Sequence, residues 1–127
     1  MSQARRGFVF ALLSFAAALP VVAHHSGAMF DDKKSVTLSG TVKEFQWTNP
    51  HCWVQVLVPA AQGETVEWSV EMGAPFEVFR TGLRPGTIKP GDKITVIVHP
   101  MRDGTRAGLF VSATGPDGKP IGKPTAE

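Results

Sequence analysis

The residues best suited to chemistry in this chain are its four histidines, His24, His25, His51 and His99, and three soft donors, Met29, Cys52 and Met101. None of the histidines falls inside a simple apolar stripe. Two are adjacent in "AHHSGAMFDD", His51 follows "TNP", and His99 precedes Pro100. Imidazole nitrogens suit Cu(II), which heads the divalent affinity order and favours tetragonal geometry, whereas thioether and thiolate sulfur suit Cu(I). A histidine at the start of a chain adds a further donor, because an α-amine with an ordinary pKa of about 7.7 to 8.0 can lose its proton to a metal at neutral pH. His24 would then supply amine and ring nitrogen from one residue, His25 a second ring, and His51 or His99 a third nitrogen. Asp31 and Asp32 are candidates to orient a histidine ring from the second layer.

That chemistry requires His24 to be the first residue, and residues 1–23 have the build of a cleaved export signal. Arg5 and Arg6 form a positive start, "GFVFALLSFAAALPVV" an apolar stretch, and Val21 and Ala23 the small residues before a cleavage point. Pro20 interrupts a run already short of the roughly 20 apolar residues of a membrane span. "ARRGFVF" matches a twin-arginine signal only in part, and paired arginines also occur in ordinary signals, so Sec-type export to the periplasm is expected. The product would carry no stable membrane anchor, since the only cysteine, Cys52, is far from the cleavage point and no lipoprotein cysteine follows the apolar stretch.

Cleavage after Ala23 leaves 104 of the 127 residues, one small domain. The two arginines are the only charges removed. Lys plus Arg falls from 13 to 11 against 11 Asp plus Glu, and the formal charge of +2 becomes zero. No basic footprint for nucleic acid remains. A single cysteine makes no internal disulfide, so Cys52 is either a small core residue or a soft ligand.

The elements that must position these donors read as short strands separated by turns. "SVTLSGTVKEFQW" puts Val36, Leu38, Gly40 and Val42 on one face, and the phase then slips to Phe45 and Trp47, which predicts a bulge near Lys43 and Glu44. "HCWVQVLVP" alternates Cys52, Val54, Val56 and Val58 against His51, Trp53, Gln55 and Leu57. "TVEWSVEM" aligns Val66, Trp68, Val70 and Met72, so these two segments form a hairpin around "AAQGE". Pro75 then suits a first helical position and Gly82 a stop, with Phe76, Phe79 and Leu83 spaced as one inward stripe. "KITVIVHPM" and "AGLFVSAT" are the fourth and fifth strands. Three strands, a helix and two strands is the order of a small five-stranded OB-like barrel, β-β-β-α-β-β, with a small β-sandwich as the alternative. The predicted organisation is a signal (1–23), a mature N-terminal segment (24–34), a barrel (35–115) and a Pro/Gly-rich flexible tail (116–127).

Taken together, "HHSGAMFD", "LSGTVKEFQWTNPHCWVQV", "WSVEMGAP", "IKPGDKITVIVHPMRDGT" and "GLFVSAT" resemble the exported bacterial proteins grouped as domain-of-unknown-function family 6152. The resemblance spans the mature chain and implies a periplasmic β-barrel domain without an assigned activity.

Other residues have plainer readings. Trp47, Trp53 and Trp68 would make a stacking platform, although two of three belong in the core of so small a domain. Glu67 and Glu71 share a strand face as ordinary solvated alternation, and Glu77 lies in the helix segment. Arg80, Arg84, Arg102 and Lys89 read as charged surface. Asn49-Pro50-His51 fits a turn. With no Ser-His-Asp order, phosphate loop or Cys-x-x-Cys, an enzyme is not expected. Two functions remain: a periplasmic copper-binding protein, or a metal-free binding module for a periplasmic protein or small ligand.

Overall fold

A computed structural model of the chain describes residues 27–123, so His24, His25 and the signal segment lie outside the described residues. Five strands, β1 (Val36–Gln46), β2 (Trp53–Pro59), β3 (Thr65–Glu71), β4 (Lys93–Pro100) and β5 (Ala107–Thr114), close into a barrel in the order β1-β2-β3-β5-β4 and back to β1. The β3 and β5 strands run parallel and the other four pairings are antiparallel. One helix, α1 (Pro75–Arg80), lies between β3 and β4. This is the expected OB-like barrel, and closure removes the sandwich alternative.

Closure falls on β1, whose eleven residues pair first with β4 and then with β2. Thr41 is the crossing point, opposite Lys93 on one side and Leu57 on the other. The strand must bend sharply there, and Gly40 permits it: a Cβ at this position would collide with the Leu57 carbonyl oxygen and lie 3.0 Å from Val56 Cγ1. Two residues later the register slips between Val42 and Glu44, the bulge expected from the change of phase. Gly108 serves a similar close approach on β5, where a Cβ would come within 2.6 Å of Val98 Cγ2.

The alternating apolar residues fill the interior. Leu38 and Val42, Val54 and Val56, Val70, and Val96 and Val98 are all buried, with Cys52 and Met72 beside them. Trp47 and Trp68 pack half-buried against this core, Trp47 meeting Phe45 edge to face with centroids 5.8 Å apart. Residues 116–123 turn back on the barrel. Gly115 N–H donates to Lys119 O, Ile121 N–H to Ala113 O and Lys123 N–H to Thr81 O, tying the segment read as a flexible tail as far as residue 123.

The helix differs from expectation. Pro75 begins it and the Glu77 carboxylate accepts the Ala74 N–H at 2.8 Å, but it has only six residues and ends at Thr81, with Gly82 at φ +96°. Its inward residue is Val78, and Leu83 and Ile88 enter the core from the coil that follows. Phe76 and Phe79, expected inside, are 68% and 48% exposed. The spacing misleads because Gly82 breaks the helical phase before Leu83, so the three positions are not one stripe. Leu83→Ala should therefore cost about 2 to 5 kcal/mol through lost burial and a residual cavity, whereas Phe79→Ala should cost about 1 kcal/mol or less. Urea denaturation of the two variants checks this, and equal losses would contradict it.

Candidate functional site

One rim of the barrel gathers most of the candidate donors. It is built from the β1–β2 loop, the end of β3, the β4–β5 turn and the segment leading into β1. Register runs across it without a gap: Gln46 faces Trp53, Trp53 faces Glu71, Glu71 faces Leu109 and Leu109 faces His99. Because Val70, Met72 and Val98 point inward, strand alternation turns Glu71 and His99 to the outside of the wall.

His51 precedes β2, in a loop where the Asn49–Pro50 bond is cis and the Thr48 hydroxyl donates to His51 O at 2.8 Å. Its Nδ1 lies 2.5 Å from Glu71 Oε1, and both side chains are largely covered. His99 ends β4, and its Nδ1 lies 2.7 Å from Lys34 O. A carbonyl only accepts, so the neutral His99 ring carries its proton on Nδ1 and keeps its lone pair on Nε2. This is the arrangement in which a ring is oriented for a ligand at its other nitrogen. His51 and His99 nevertheless belong to different parts of the rim. Glu71 and His99 are two strand spacings apart across β5, roughly 10 Å. Among the described residues no three His, Cys, Asp or Glu side chains converge as a metal group.

Cys52 is fully buried in the core. Burial pushes its thiol pKa up, outweighing a hydrogen bond at Thr48 that acts the other way. A thiol with raised pKa resists forming the thiolate that ligates metal. Cys52 here packs as a small core residue. At pH 8 it should stay unreactive toward a thiol reagent in the native protein and titrate as one thiol in guanidinium, and prompt native labelling would show it accessible.

The segment before β1 is firmly seated. Phe30 is buried and bridges to Met101; Asp31 N–H donates to Pro100 O at 2.8 Å, and Arg102 N–H to Met29 O at 2.9 Å. The Arg102 side chain completes a clamp, with Nε donating to Ala28 O at 3.0 Å and its two terminal nitrogens 3.5 Å from Asp31 and Asp32 carboxylate oxygens. Asp31 and Asp32 thus hold a guanidinium, with Asp31 also 3.3 Å from Lys34 Nζ, and among the described residues neither is paired with a histidine ring. Met29 is exposed and Met101 half-buried on the two sides of this contact. Sequence reasoning missed both Phe30 as anchor and Arg102 as clamp. The signal available was an aromatic followed by two acids, with an arginine in a later turn. It also missed Glu71 as the partner of His51.

Desolvation raises the Asp31 pKa, but the Lys34 and Lys33 hydrogen bonds and the charges of Arg102 and Lys34 outweigh it, leaving the carboxyl below its ordinary 3.8. A depressed folded-state pKa gives stabilisation present above the unfolded value and lost as pH falls through the folded one. Protection of the Asp31 amide, corrected for intrinsic exchange, should therefore fall as pH drops below about 4 in the parent. It should change far less with pH in Asp31→Asn, and identical profiles would contradict the clamp.

The remaining candidates disperse. Trp53 faces outward while Trp47 and Trp68 lie against the core, so the three do not form one platform. Arg80 and Arg84 lie over Phe76 and Phe79, Arg102 is in its clamp, and Lys89 lies in the turn closed by Asp92, so these cations do not cradle one anion. No helix of the described residues is long and apolar enough to cross a membrane.

Fold and rim together define a small closed OB-type barrel whose N-terminal segment is strapped to the β4–β5 turn. The sequence profile of a family of unknown function, DUF6152, matches residues 11–111, and the chain belongs to that family. No curated protein matches it. Among solved structures it is similar to the mitochondrial single-stranded DNA binding protein Rim1 from S. cerevisiae in two crystal forms. One gives 10% identity and a TM-score of 0.49 over 71% of this chain and 95% of that one. The other gives 9% identity and 0.48 over 73% and 98%.

Proposed function

We propose that this protein is an exported periplasmic copper(II)-binding module. In this reading cleavage after Ala23 makes His24 the first residue, its amine and imidazole chelate the metal, and His25 and a rim histidine complete the nitrogen set. The observation that carries it is the strap. A chain terminus is ordinarily loose unless tied down, and here residues 28–34 are tied through Phe30, Asp31 and Arg102. His24 stands three positions before Gly27, a reach of about 11 Å at full extension, so in this reading the histidine pair stays within a short tether of the rim. His99 is the favoured barrel donor, because its ring is oriented by Lys34 O at the base of the same strap. Met29 and Met101 flank the strap contact and suit the softer Cu(I) state. A carrier or buffer needs nothing more.

Copper(II) titration of four proteins tests this: the chain beginning at His24, the same chain with one alanine ahead of it, His24→Ala and His99→Ala. The extension moves the amine while leaving every side chain in place. The expected result is a loss of about tenfold or more in affinity for the first two variants, comparable to loss of a metal-site contact, and a smaller loss for His99→Ala. Equal, weak binding by all four would reject the site, and a mature terminus other than His24, read by mass spectrometry, would remove its basis.

A further inference from the structure

The face of α1 that the core leaves unused carries two exposed aromatic rings, with Arg80 on the helix and Arg84 in the coil after it lying over them. Phe76 and Phe79 are 68% and 48% exposed and, with Met29, are the large apolar side chains most open to solvent among the described residues. The Arg80 guanidinium lies 5.6 Å from the Phe76 ring centre and that of Arg84 3.6 Å from the Phe79 ring centre. Neither arginine has a carboxylate within ion-pair distance among the described residues. The acid of the helix, Glu77, is committed to the Ala74 N–H at the opposite end. Lys123, exposed and joined through its backbone N–H to Thr81 O, adds a third cation at the edge.

We infer that this face docks on an anionic phospholipid surface, Phe76 and Phe79 entering the interfacial region while Arg80, Arg84 and Lys123 meet lipid phosphates. Two features select that occupant. The rings expose roughly 230 Å² if a phenylalanine presents about 200 Å², well short of the ~800 Å² per partner of a stable protein interface. A bilayer needs no complementary relief and takes up short aromatic wedges. The cations beside the rings are complementary to anionic headgroups, and on a domain of zero formal charge after removal of residues 1–23 they make a local field. Arginine suits this position because its weakly hydrated guanidinium stacks on the ring and still reaches phosphate oxygens.

The chain beginning at His24 retains the whole barrel and is the protein to use. It should co-sediment with vesicles of 70% phosphatidylcholine and 30% phosphatidylglycerol in low salt, and about fivefold less with phosphatidylcholine alone or in 0.5 M NaCl. Phe76→Ser with Phe79→Ser should reduce sedimentation by about tenfold with the thermal transition retained, since apolar burial supplies the anchoring. Arg80→Gln should weaken binding to anionic vesicles alone. Arg84 is left intact because its Nη1 also holds the Phe79 and Leu83 carbonyls at 3.1 and 2.8 Å. No sedimentation with anionic vesicles, or equal sedimentation by the parent and the double variant, would overturn the inference.

Discussion

Everything in this fold depends on β1 being hydrogen-bonded along both edges. A five-stranded sheet leaves two open edges, and in this chain one long strand closes both by pairing β4 over its first half and β2 over its second. The changeover at Thr41 demands a bend that brings the strand against Leu57, which only the missing side chain of Gly40 accommodates. The bulge after Val42 then restores the inward phase, so that Phe45 packs on the core that Leu38 and Val42 began. Without the bend the barrel opens. Without the bulge the second half of β1 would turn its polar face inward.

Closure also decides where function can sit. The interior is filled by branched aliphatic side chains, and Cys52 is one of the groups filling it, so donors and ligand contacts are left to the outer wall, the rims and the helix. The rim at the β4–β5 turn is stiffened by what lies on it. Phe30 contributes burial, the Asp31 and Arg102 backbone N–H groups each contribute a bond across the contact, and the Arg102 side chain ties Ala28, Asp31 and Asp32 together. The exposed ion pairs alone would be worth little. Their role is positional, since they keep the strap in register on a surface that Phe30 and the backbone bonds already favour.

The barrel was legible because its physics is local in sequence. Alternation at period two marked the strands, the slip of phase from Val42 to Phe45 marked the bulge, and the order of elements distinguished a barrel with a capping helix from a run of hairpins. The helix face was not legible. Its assignment needed the phase at Leu83 relative to Phe76, and Gly82 at positive φ resets that phase in a way that spacing does not record. The pairings of the histidines were hidden for a different reason. His51 meets Glu71 through the β2–β3 ladder and His99 meets the carbonyl of Lys34 across 65 positions, and neither partner differs in type from many other acids and carbonyls in the chain. Residue type therefore nominated the donors, while only the register could say which of them share a neighbourhood.

That register also gives the two rim histidines different chemistry despite their shared end of the barrel. A carbonyl acceptor fixes the tautomer of the neutral His99 ring without adding charge, and it orients that ring with Nε2 turned away from the bond. The Glu71 carboxylate likewise lies on the Nδ1 side of the His51 ring, but it places a carboxylate there where His99 has a backbone carbonyl. The strap approaches the carbonyl-held histidine and not the carboxylate-held one, since Asp31 joins Pro100, the residue following His99. The arrangement sets His99 beside the base of the strap, while His51 braces the β1–β2 loop against the end of β3.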